Sequence, residues 1–125
     1  MGKEFIDKVV GKIIEYESFW CSENMFVYEE EEVYIVFDKK DDYYLDENEQ
    51  KTYAYLIDNL EMVVNKSLQT VKDIFSDEKL DVTRFNCIFI GSDNTFKVFG
   101  YFQEEEFDFS IQFDIMNNSV KFEVE

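Results

Sequence analysis

The chain has 125 residues, 46% hydrophobic and 18% aromatic, with 12 Lys and Arg against 29 Asp and Glu. That apolar fraction excludes a disordered acidic tail and implies a packed core, while the formal net charge of −17 excludes the basic footprint that nucleic acid or an anionic lipid surface needs. Histidine is absent altogether, which removes the commonest general base and the commonest metal ligand.

The amino-terminal stretch MGKEFIDKVVGKII is interrupted by Lys3, Asp7, Lys8 and Lys12, and so lacks the unbroken apolar region of a secretory signal. No later segment approaches the roughly 20 apolar residues of a membrane span, so a cytoplasmic protein is expected. Four segments rich in Val, Ile, Phe and Tyr follow: Lys8–Tyr16, Phe19–Cys21, Met25–Tyr28 and Val33–Phe37. Such residues suit a pleated, half-buried surface, and the run Glu29–Glu32 between the last two reads as a hairpin tip.

After the polar connection DDYYLDENEQ, Asp46 with Glu49 three residues later predicts a capping box. Tyr53, Leu56, Ile57, Leu60, Val63, Val64, Leu68, Val71, Ile74 and Phe75 then recur at steps of three and four, the apolar stripe of an α-helix. The spacing predicts one helix over Asp46–Phe75, about 40 Å long, with Asn65–Ser67 the place for any bend.

The final third alternates most cleanly. Cys87–Ile90 and Thr95–Phe102 are joined by GSDN, and Phe107–Ile115 and Val120–Val124 by Asn117 and Asn118, turn compositions that predict hairpins. The expected fold class is therefore α+β: a single domain over residues 1–125, in which an antiparallel sheet of amino- and carboxy-terminal strands packs on one long central α-helix.

Residue chemistry offers no catalytic constellation. Asp38–Glu49 is an acidic window of calcium-loop length, but Lys40 stands where an oxygen ligand belongs and Tyr43 where the loop needs glycine. Cys21 and Cys87 are too few for a zinc quartet. With no export signal they are expected as reduced thiols in strands, and no histidine exists to activate them or any serine. No carboxylate pair stands out for acid–base work. No cofactor, metal or catalytic residue is expected, and the chain is read as non-enzymatic. Trp20, Phe19 and Phe26 read as core, whereas Tyr43 and Tyr44, off any core periodicity in the acidic connection, read as surface aromatics available to a partner.

The order of segments carries more information than any one of them. VVGKIIEY, SFWC, the pair MFVY and VYIVF, the helix, LDVTRFNCIFI and DNTFKVFGYFQEEEFDFSIQFDI follow one another in an arrangement that resembles an uncharacterised bacterial family of small α+β domains. Some members of that family are associated with polymorphic or contact-dependent toxin systems as immunity proteins. The chain departs at FDFSIQF, where relatives carry a Gly-His pair, so no role of that pair passes to Asp108, Phe109 or Ser110. The resemblance implies a cytoplasmic monomer that binds a cognate toxin domain, a basic nuclease being a natural target for an acidic surface. Glu29, Glu30, Glu31, Glu32, Tyr43, Tyr44, Glu104, Glu105 and Glu106 are the expected contact residues. The alternative is a small non-catalytic binding or regulatory module whose acidity serves solubility alone.

Overall fold

A computed structural model describes residues 2–125. Eight strands form one sheet in strict chain order: β1 (Glu4–Asp7), β2 (Gly11–Glu15), β3 (Trp20–Tyr28), β4 (Glu31–Phe37), β5 (Thr83–Ile90), β6 (Thr95–Phe102), β7 (Asp108–Asp114) and β8 (Ser119–Val124). Every neighbouring pair is antiparallel except β4 and β5, which run parallel with Tyr34 opposite Cys87 and Phe37 opposite Ile90. The sheet is therefore mixed, which corrects the expected antiparallel one. A parallel pair needs a long crossover, and the segment from Asp38 to Val82 supplies it.

The crossover also corrects the single long helix. It holds two helices, α1 (Glu47–Asp58) and α2 (Leu60–Phe75), followed by a 3₁₀ segment, Asp77–Val82; at 1.5 Å per residue the helices are roughly 18 and 24 Å long. The break lies at Asn59 rather than at Asn65–Ser67. The Asn59 amide side chain donates to the Tyr55 carbonyl at 2.9 Å, and its backbone sits at φ −123°, ψ 24°. An asparagine bonded to a backbone group of its own helix competes with the regular ladder. Ser67 instead stays helical and buried, its hydroxyl donating to the Val63 carbonyl at 2.8 Å. After the break, α1 buries Tyr53 and Leu56 and α2 buries Val63 and Val71, while Ile57 and Ile74, expected on the apolar stripe, are exposed.

The expected amino-terminal strand Lys8–Tyr16 is shorter, Gly11–Glu15, and pairs with a further strand before it. Asp7 Oδ2 accepts the Val9 and Val10 amides at 2.8 and 3.0 Å, and Gly11 takes φ +92°. An aspartate that satisfies the turn amides, followed by a glycine free of the Cβ penalty at positive φ, closes a hairpin whose turn takes the first residues of the expected strand Lys8–Tyr16 and whose first strand, Glu4–Asp7, was not expected.

The core lies between the helices and one sheet face. Trp20, Phe37, Phe85, Phe96, Phe102 and Phe109 are fully buried there, with Ile35, Ile88 and Ile111 between them. The capping box forms as expected: Asp46 Oδ1 accepts the Glu49 amide at 2.8 Å, and Glu49 Oε1 accepts the Asp46 amide at 3.0 Å. Glu49 is only 1% exposed and also pairs with Lys40, whose ammonium lies 5.3 Å from the Trp20 ring centroid. Burial raises the Glu49 carboxyl above its ordinary pKa, against the downward pull of Lys40 and the Asp46 amide.

Candidate functional site

The strand directions bring the two glutamate clusters together. β3 turns into β4 at Glu29 and Glu30, and β6 turns into β7 through Glu104, Glu105 and Glu106. Because β5 runs parallel to β4 and antiparallel to β6, both turns lie at the same end of the sheet. The Tyr101 hydroxyl on β6 donates to Glu31 Oε2 on β4 at 2.5 Å, spanning the strand between them. That hydrogen bond, with burial and the charge of Glu31, raises the Tyr101 pKa. Asp77, Glu78 and Asp81, in the 3₁₀ segment that leads into β5, add charge at this end. Three cations temper it: Lys79 pairs with Glu105 at 2.5 Å, Lys72 with Asp77 at 3.4 Å, and the Arg84 guanidinium donates to the Asp81 and Thr83 carbonyls.

The turn itself is costly. Tyr28 pairs with Glu31 across a two-residue loop in which Glu29 and Glu30 take φ +51° and +69°. Positive φ at both positions is the hairpin geometry that favours Asn-Gly, and a side-chain-bearing residue there costs about 1–2 kcal/mol. Two adjacent glutamates add mutual repulsion.

Tyr43 and Tyr44 lie away from this rim, at the opposite end beyond the close of β4. Tyr43 is not a free anchor: it stacks on Trp20 with centroids 5.9 Å apart, meets Phe5 edge-on at 5.7 Å, and its hydroxyl donates to the Glu15 carboxylate at 3.2 Å. Tyr44 is 57% exposed. Trp20 belongs to the core and Phe26, half-buried, packs against it, but Phe19 lies on the other side of the sheet.

That other side is uncovered, and half of it is apolar. On β3–β5 and the β2–β3 connection a groove of about 580 Å³ has Tyr16 and Phe19 on one flank, Tyr34 and Phe89 on the other, and Cys21 and Val36 buried in its floor. Tyr16 and Phe19 stack with centroids 5.3 Å apart. The Tyr34 hydroxyl donates to Glu32 Oε1 at 3.3 Å, and the Glu32 charge raises the Tyr34 pKa. Toward β7 and β8 the same face becomes polar, with Ser110, Gln112, Lys121 and Glu123. The residue reading did not single out this groove. The available signal was the unbroken apolar run VYIVF, and CIFI after it: strands apolar at both parities carry side chains of that kind to both faces.

Cys21 and Cys87 both reach this face as free thiols. β4 lies between their strands, which separates them by roughly 10 Å across the sheet, too far for a bridge. Burial raises both pKa values, that of Cys87 to about 11, so both are protonated and weakly nucleophilic at neutral pH. Among the described residues no three His, Cys, Asp or Glu side chains are grouped to hold a metal ion, and no helix is long and apolar enough to cross a membrane. Comparison of the chain with family models, characterised proteins and solved structures finds no match.

Proposed function

We propose that this protein is an immunity-type binding protein, a cytoplasmic monomer that neutralises a basic toxin domain by occlusion rather than by catalysis. One observation carries the reading: the fold gathers Glu29–Glu32 and Glu104–Glu106 from distant parts of the sequence onto one end of the sheet, with a strained turn at its tip. Local strain retained against the fold's own interest is a recurring mark of a functional surface. A concentrated acidic rim speeds association with a basic partner and rejects acidic ones.

The test is co-expression with the carboxy-terminal domain of the nearest large protein encoded upstream. Restored growth and co-purification are expected. A toxic neighbour that this chain neither binds nor neutralises removes the reading in favour of a binding module of other purpose. Charge reversal at Glu104–Glu106 is expected to slow association and flatten its salt dependence; an unchanged rate would remove that cluster from the interface.

A further inference from the structure

The acidic rim accounts for attraction but not for the apolar groove beside it, and long-range charge speeds and selects encounters more than it adds affinity. A contiguous exposed apolar patch with a polar border is the usual form of a protein-binding surface. Its volume falls within the range of roughly 300–1,000 Å³ that accommodates a ligand or a few side chains.

The charges around the groove decide what fits it. Glu17 follows Tyr16 in the turn on one flank, Glu32 accepts the Tyr34 hydroxyl at the other, and Asp38 borders Phe89. The nearby cations are largely committed: Lys39 pairs with Glu15 at 3.3 Å, and Lys12 with Glu4 and Glu23 at 3.1 and 3.4 Å. Lys97, opposite Phe89 on β6, is the cation left at the border. The aromatic flanks offer ring faces of the kind that attract ammonium and guanidinium groups. A second copy of this chain would bring a further charge of −17 against the same border, which disfavours self-association.

We infer that the groove on β3–β5 is the docking site for a basic polypeptide segment, laying apolar side chains or arginine stems between Tyr16, Phe19, Tyr34 and Phe89 while its charges meet Glu17, Glu32 and Asp38. This rests on the immunity reading for the partner's identity but not for the segment's chemistry. The rim would steer the partner and the groove would hold it. Tyr34, exposed and carried on a central strand, is the expected anchor.

The experiment is an NMR titration of the isotope-labelled protein with a short peptide of alternating arginine and leucine. Control peptides replace leucine with serine or arginine with glutamate. The expected result is saturable shifts at Tyr34, Cys87 and Phe89 with the arginine–leucine peptide, with affinity about tenfold lower for Tyr34→Ser and lower still for either control. Tyr34→Ser is checked by thermal melting, and Glu32→Gln provides a second variant with the groove's shape intact. Equal binding of the arginine–serine peptide, or shifts confined to the glutamate turns, would overturn the groove while leaving the rim and the proposed function standing. Equal binding of the glutamate–leucine peptide would overturn the basic occupant. Absence of shifts in the groove, or groove shifts that follow protein concentration without peptide, would overturn the inference. Growth rescue retained in full by Tyr34→Ser would separate a failed groove from a failed immunity reading.

Discussion

The two faces of the sheet are built from the same residue types and differ in what covers them. On one, Phe37, Phe85, Phe96, Phe102 and Phe109 lie fully buried under the helices; on the other, Tyr34 and Phe89 flank an open groove. Aromatic content alone therefore does not locate stability. The covered face loses transfer energy and close packing together when a ring is removed, whereas an exposed ring has little of either to lose. Phe109→Ala is expected to cost about 3–5 kcal/mol in urea unfolding, and Tyr34→Ser no more than about 0.5 kcal/mol. Comparable losses from the two would mean that the open face works as a second core.

The contrast sharpens at two glycines. A Cβ on Gly100 would lie 2.6 Å from Phe109 Cζ and 2.8 Å from the Arg84 carbonyl oxygen. The first neighbour is a fully buried ring and the second is backbone in the adjacent strand, so neither yields cheaply. Gly100→Ala is expected to cost about 1–3 kcal/mol. A Cβ on Gly91 would meet the Asp93 carboxylate at 2.9 Å, the movable end of an exposed side chain. Gly91→Ala is expected to change the unfolding midpoint little. A reversed order would show that the covered face is loosely packed near β6 and β7.

Glu49 tests the covered face by charge rather than volume. Removing its cation with Lys40→Met leaves the 1% exposed carboxylate with the Asp46 amide as its remaining polar contact, at a cost of about 1–3 kcal/mol at neutral pH. The sign of the pH dependence follows from the direction of the shift. The folded-state pKa is raised above the ordinary value, so between the two values the folded protein holds more protons than the unfolded chain. Stability therefore falls as pH rises through that interval. Lys40→Met raises the folded pKa further, and its deficit should shrink as acid protonates Glu49. Unfolding measured across that range checks this; a deficit independent of pH would place the loss in packing against Trp20 instead.

The local elements were legible in the sequence, whereas the mixed sheet and the division of the helix were not. The capping box at Asp46 and Glu49, the glutamate hairpin tip and the carboxy-terminal hairpins are local patterns, set by residues a few positions apart. The break at Asn59 escaped because Leu56, Leu60 and Val63 keep helical spacing across it, so periodicity passes over a single residue that leaves helical φ and ψ. The parallel pairing of β4 with β5 escaped because alternation within a strand is the same whichever way its neighbour runs. The groove joins Phe19, Tyr34 and Phe89 from three separate segments; their common face depends on register, which no one segment contains. The rim is a middle case, since both glutamate clusters could be read but their arrival at one end depends on the crossover.

The expected gain in stability is the most informative about function, because it runs opposite to the losses. Glu29 and Glu30 occupy a turn whose positive φ angles favour asparagine and glycine. Glu29→Asn with Glu30→Gly should relieve the backbone strain and the repulsion between adjacent carboxylates. Thermal or urea unfolding is expected to show a gain of about 1 kcal/mol. The hairpin register, fixed by Tyr28 opposite Glu31, should not change, nor should the Tyr101–Glu31 hydrogen bond. If the rim steers a basic partner, the same variant associates more slowly and with a shallower dependence on ionic strength, while dissociation from the open face is unaffected. A more stable protein that associates with a basic partner more slowly would show that stability is given up at the turn for charge. A gain in stability with unchanged association would assign the glutamates to solubility and leave the open face as the binding surface.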